Sequence, residues 1–120
     1  MSRMTGGAWC KVLLASDGSV RVVNRAGREQ NPLLLSTGTC QQLYLSLRMA
    51  LLMVAKGVGR SVPLIADDIL VNFDEERRVG TARALLDLAE TRQVIFLTCH
   101  KEIADLLECL DRDVNVLHLA

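Results

Sequence analysis

The sequence is short of aromatics. Only Trp9, Tyr44, Phe73 and Phe96 occur among its 120 residues, while half of all residues are hydrophobic. A core must therefore come from Leu, Val, Ile and Ala. Charge of one sign is missing too, since 14 basic residues balance 14 acidic ones. No overall basic excess exists to argue for nucleic-acid binding, although a local patch remains open. The four cysteines, Cys10, Cys40, Cys99 and Cys109, form no CxxC pair. Free buried thiols in a reducing cytosol are expected, and Cys99 beside His100 resembles no zinc site without a second ligand pair. Long hydrophobic runs are also lacking. The stretch from Leu43 to Val58 is broken by Ser46, Arg48 and Lys56, so no membrane span is expected. The first ten residues carry no apolar region of the signal-peptide kind. These absences point to one intracellular, cytoplasmic domain over residues 1–120.

What is present is a change of period along the chain. "CKVLLASDGSVRVVNRAG" holds two β-rich runs around Asp17-Gly18, a strong hairpin signal because both turn positions favour positive φ. "GREQNPLLLSTGT" reads as a loop limited by Pro32. From Thr39, Leu43, Leu47, Ala50, Leu51 and Val54 recur at helical spacing, with Thr39 and Gln42 as a capping box and Gly57 and Gly59 as the stop. Val62 to Ala66 then reads as a buried strand, and Glu75 to Glu90 as a helix. "QVIFLT" is a second strand, "KEIADLLECL" a second helix and "VNVLHLA" a third strand. The expected fold is α/β: a leading β-hairpin, a long helix, then a parallel β-α-β-α-β sheet with right-handed crossovers.

In open α/β sheets ligands sit at the carboxyl ends of parallel strands. Asp67 and Asp68 fall there after "PLIADD", and Thr98 to His100 after "FLTCH". One carboxylate suits Mg²⁺, a hard cation that takes oxygen ligands. Its neighbour can orient or deprotonate an attacking water, and a histidine across the crevice can bond to a phosphoryl oxygen. Taken singly, an Asp capping the next turn and a His100 capping the helix at Lys101 explain these residues equally well. "LSTGT", residues 35–39, opens a helix with small residues and free amides, a place where an anion is favoured, or an ordinary N-cap.

The order "LSTGT", long helix, "PLIADD", "VNFD", "FLTCH" resembles the second half of an ATP-binding-cassette ATPase head. The likeness is to the SMC-like and double-strand-break-repair ATPases, including their YhaN-like members, over residues 10–119. It implies a partial P-loop NTPase fold with ATP and Mg²⁺ as ligands. By this resemblance Ser36, Thr37 and Gly38 belong to the signature loop, which contacts the γ-phosphate of ATP on an opposite head. Asp67 is the Walker B residue that positions Mg²⁺, and Asp68 stands where a catalytic Glu is usual. Asp74 of "VNFD" matches the D-loop, and His100 the switch histidine. Two departures stand out. Thr37 replaces the first Gly of the usual signature loop, with Thr39 at its last position, and Asp68 is one methylene shorter than Glu.

The phosphate cradle GxxxxGK[ST] does not occur. "AKGVGRS", residues 55–61, fails it, because Lys56 precedes both glycines and Val54 stands where the first Gly is needed. No candidate exists for the family's Q-loop. The resemblance therefore implies a C-terminal lobe whose partners are an N-terminal Walker A lobe of the same parent protein and a second head, with DNA implied by family alone and no membrane. Such a lobe would close nucleotide sites in a head dimer and would not hydrolyse ATP by itself. Two alternatives remain open: a non-catalytic dimerisation or interaction module derived from such a lobe, and a stand-alone Mg²⁺-dependent phosphatase or nuclease built on Asp67, Asp68 and Asp74. The latter lacks a further strand-end carboxylate, since "FLTCH" supplies a His.

Overall fold

The computed structural model describes residues 1–54 and 62–119. It is mixed α/β, with a three-stranded antiparallel sheet, a two-stranded parallel sheet and three α-helices. Strands β1 (Trp9–Leu14) and β2 (Val20–Asn24) pair antiparallel as the sequence predicts. Gly18 adopts φ 82°, and the Ser19 amide donates to Asp17 Oδ1 at 2.8 Å, which fixes the turn locally. The predicted loop after it contains more order than expected. A short β3 (Glu29–Gln30) adds to β2, and Pro32–Leu34 forms a 3₁₀ turn capped by Asn31.

Helix α1 spans Thr37–Val54 and starts two residues before the predicted Thr39. Its cap is Ser36, whose Oγ accepts from the Thr39 amide at 3.3 Å and whose carbonyl accepts from Cys40 N. The Thr39–Gln42 capping box does not form. Gln42 is instead fully buried, with its Nε2 donating to the Met4 carbonyl and to Thr81 Oγ1. The stripe of α1 also differs from expectation. The face turned inward carries Thr39, Gln42, Leu43, Ser46 and Met49, while Leu51 and Val54 lie exposed. Apolar spacing identified the helix, but the Met4 carbonyl and the Thr81 hydroxyl of α2 select Gln42 for the interior, while Ser46 bonds back to the Leu43 carbonyl of its own helix. The predicted stop at Gly57 and Gly59, with "AKGVGRS", lies outside the described residues.

Strand β4 (Leu64–Asp67) and β5 (Val94–Leu97) pair parallel, with Ala66 opposite Phe96 and Asp67 opposite Leu97. Helix α2 (Glu75–Ala89) links them, and α3 (Lys101–Leu110) follows β5. Asp74 caps α2 by accepting from Arg77 N, and Glu75 and Glu76 fill its first turn, where the helix dipole favours negative charge. The expected third strand is not formed among the described residues. Val114 packs on the core, but Leu117 and Leu119 are exposed and lack a ladder partner. Alternation of apolar residues specifies a strand only where an edge is free to pair with it.

One core joins α1, α2, α3 and the N-terminal segment through Met4, Met49, Leu70, Phe73, Ala82, Leu85, Leu88, Ile103 and Leu107. Leu64 and Phe96 bring the inner face of the parallel pair against it. Among the described residues nothing covers the outer face: Ile65 is 65% exposed, Leu97 43% and Ile95 39%. Parallel strands are usually covered on both faces. The cysteines are free, as expected, but not buried: Cys10, Cys99 and Cys109 are exposed and Cys40 is half-buried. Cys10 and Cys109 fall on solvent-facing positions of β1 and α3. Among the described residues, no helix is long and apolar enough to cross a membrane.

Candidate functional site

Two polar clusters form where elements end. The first gathers at the carboxyl ends of β4 and β5. The Asp68 amide donates to the Leu97 carbonyl at 2.8 Å, extending the ladder one residue past β4. Asp68 then turns the chain with φ 50°, a left-handed conformation that Asp tolerates better than most residues because its short side chain can bond locally. That turn brings its carboxylate across to the end of β5. Thr98 Oγ1 donates to Asp68 Oδ1 at 2.8 Å. Asp68 Oδ2 stands 3.6 Å from His100 Nε2 and 3.9 Å from Cys99 Sγ. The other ring nitrogen, Nδ1, faces Glu102 Oε1 at 3.5 Å.

The simple capping roles are not what these side chains do. His100 occupies the N-cap position of α3 but makes no side-chain capping bond, and the Asp68 carboxylate is engaged by Thr98. The His100 amide donates to Thr98 Oγ1 at 3.1 Å, so one hydroxyl links the backbone before α3 to Asp68. Lys101 points elsewhere. Its ammonium donates to Asp105 Oδ2 at 2.8 Å, and that carboxylate raises its pKa above the ordinary 10.5. Asp67, the last residue of β4, lies on the bare outer face of the sheet and is exposed. An exposed oxygen donor of this kind fits Mg²⁺, which is commonly held by one or two carboxylates together with substrate phosphates.

The second cluster lies at the N-termini of α1 and α2. Arg77, in the first turn of α2, donates from Nη2 to Ser36 Oγ at 3.3 Å and to Thr39 Oγ1 at 3.1 Å. Its Nη1 donates to Asp74 Oδ2 at 2.9 Å. A single guanidinium thus ties the loop before α1 to the cap of α2. Gly38 leaves room for that approach: a Cβ there would lie 2.8 Å from Arg77 Nη1, and the guanidinium would have to swing aside. Thr37 is exposed at the helix start. The structure therefore brings Ser36, Gly38 and Asp74 together, and separately Asp68 and His100.

Arg77, Cys99 and Glu102 are members of these clusters that the motifs did not single out. The i, i+3 spacing of Asp74 and Arg77 on a helix start was a signal for their ion pair. Contact of Arg77 with Ser36, 41 residues away, had no local signal. Cys99 gains its meaning only from Asp68, which the parallel pairing delivers from the neighbouring strand.

The arrangement defines an α/β domain with acidic and imidazole groups at parallel-strand ends and a hydroxyl-rich helix start. No protein-family model matches the chain. Over 91 residues, 75% of its length, the chain is 38% identical to the uncharacterized protein YhaN of Bacillus subtilis (strain 168). It spans 9% of the length of YhaN.

Proposed function

We propose that the chain is the C-terminal lobe of an SMC-like ABC-type ATPase head. The observation that carries this reading is the placement of its motifs in one fold. "LSTGT" opens a long helix, "PLIADD" ends a parallel strand, and "FLTCH" ends the strand beside it. Similarity to part of a much longer protein agrees with a lobe that works within a larger chain.

In this reading Asp67 would hold Mg²⁺ when it is bound, and the ion would neutralise phosphate charge. Asp68 orients and deprotonates the attacking water, and His100 donates to a γ-phosphate oxygen. Thr98 holds the Asp68 carboxylate for that task by occupying Oδ1. Ser36, Thr37 and Gly38 present a hydroxyl and helix-start amides to the γ-phosphate of ATP on an opposite head. Arg77 keeps that loop in place and anchors Asp74 beside it. The two clusters then belong to two different composite nucleotide sites, each completed by another lobe. A bare outer sheet face and the exposed Leu51 and Val54 of α1 offer apolar area for the missing Walker A lobe to cover. DNA as the substrate of the whole machine follows from the resemblance alone.

A non-catalytic interaction module has the same exposed apolar surfaces in its favour. Reconstitution separates the two. Mixing the chain with the Walker A lobe of its parent protein should restore ATP hydrolysis that Asp68→Asn abolishes. A stable complex of the lobes with no hydrolysis would support the interaction module and contradict the catalytic reading.

A further inference from the structure

The group at the ends of β4 and β5 has a donor set that phosphate chemistry does not call for. Asp68 supplies a carboxylate oxygen, Cys99 a sulfur and His100 a ring nitrogen, and these atoms all lie within 4.8 Å of one another. Tetrahedral zinc has bonds of about 2.0–2.3 Å to such ligands, which sets ligand-to-ligand edges of roughly 3.3–3.8 Å. The Oδ2–Nε2 separation of 3.6 Å and the Oδ2–Sγ separation of 3.9 Å lie close to those edges, and the remaining edge is within 4.8 Å, a gap that side-chain rotation can close. We propose that Asp68, Cys99 and His100 form a three-ligand site for a borderline-soft divalent cation, Zn²⁺ in class, with a fourth position open to water.

The surroundings of the three donors fit this assignment. Thr98 occupies Asp68 Oδ1 and leaves Oδ2 free on the side of the thiol and imidazole. His100 Nδ1 faces Glu102 Oε1 at 3.5 Å. A carboxylate on the second nitrogen of a ligating histidine is the usual outer partner in zinc sites, where it fixes the ring and raises its basicity. Magnesium is a poor match, because sulfur and nitrogen donors suit softer ions. Binding is a simple exchange: the Cys99 S–H proton passes to solvent as the S–Zn bond forms, and no oxidant or reductant is involved. If the proposed function also holds, zinc at this site sequesters Asp68 and His100 and blocks hydrolysis until a chelator removes it.

The test is spectroscopic and needs neither nucleotide nor a second lobe, so it stands apart from the fate of the proposed function. Co²⁺ titrated into the full chain should bind at one equivalent, with a thiolate-to-metal charge-transfer band that added Zn²⁺ displaces. Cys99→Ser should remove the band, while Cys10→Ser and Cys109→Ser leave it. Asp68→Asn and His100→Gln should each weaken binding at least about tenfold, and Glu102→Gln by roughly 10- to 100-fold. All four site residues are exposed or half-buried, so these variants retain the fold, which circular dichroism checks. Absence of the band in the unaltered chain, its persistence in Cys99→Ser, or affinity unchanged in Asp68→Asn would each overturn the site.

Discussion

Arg77 Nη2 donates to Ser36 Oγ at 3.3 Å, so the first turn of α2 grips the loop that opens α1 across 41 residues of sequence. The same side chain pairs with Asp74 through Nη1. One residue therefore coordinates two of the positions that the resemblance places at a head-to-head interface. Arg77→Met should lower stability by about 1 kcal/mol, since exposed ion pairs contribute little and the two hydroxyl contacts add modestly. Its larger effect should be local. Amide hydrogen exchange should quicken at Ser36 to Thr39 and stay unchanged in α3, and uniform acceleration would show that Arg77 merely supports the fold.

The N-terminal segment crosses α2 at Gly80, where a Cβ would lie 2.7 Å from the Met4 carbonyl oxygen and 2.9 Å from that of Arg3. Alanine in a helix interior ordinarily gains about 1 kcal/mol over glycine. Here Gly80→Ala should instead cost about 1–3 kcal/mol, because backbone atoms have to move. Removing residues 1–5 should cancel that penalty, leaving the Ala variant equal to or more stable than its Gly counterpart. Urea unfolding of the four chains measures the cycle.

Asp68 stands at φ 50°, and this gives a conformational reason for the shorter acid at a position where the ATPases it resembles usually carry Glu. Asp tolerates the left-handed region better than Glu does. In a reconstituted head, Asp68→Glu should speed turnover, because a carboxylate misplaced by about 1 Å can be costly to rate. The same variant should melt at a lower temperature. A slower Glu variant would contradict the idea that the short side chain limits hydrolysis.

Acid should weaken the hairpin through Asp17. The Ser19 hydroxyl beside Asp17, and the Ser19 amide that donates to its Oδ1, hold the carboxyl below its ordinary value of 3.8. A depressed carboxyl contributes stability above its unfolded pKa, and that contribution is lost as pH falls through the folded value. Asp17→Ala should therefore be less stable than the unaltered chain at neutral pH, with the gap narrowing below pH 3.8. Denaturant midpoints across the acid range check this, and a gap independent of pH would contradict it.

The elements that could be read from the sequence were those with local signals. Asp17-Gly18 announced the hairpin, and the boundaries of α3 follow "KEIADLLECL" to the residue. Features set by distant partners were hidden. The burial of Gln42 depends on Met4 and Thr81, and the exposure of Leu51 and Val54 reflects the lack of a packing partner among the described residues. "VNVLHLA" has the alternation of a strand, but pairing needs an edge that composition cannot supply. At the candidate site, adjacency of Asp67 and Asp68 and of Cys99 and His100 was visible. Which Asp meets the histidine was decided by the left-handed turn at Asp68, a backbone choice with no motif of its own.

The central claim is that the chain holds half of a nucleotide site, and calorimetric titration of Mg-ATP tests it most directly. The chain alone should show no binding, and the chain joined to the Walker A lobe of its parent should bind, with Asp67→Ala weakening that affinity. Tight binding by the isolated chain, lost on Asp67→Ala, would mean that it carries a complete site and would contradict the split-head account.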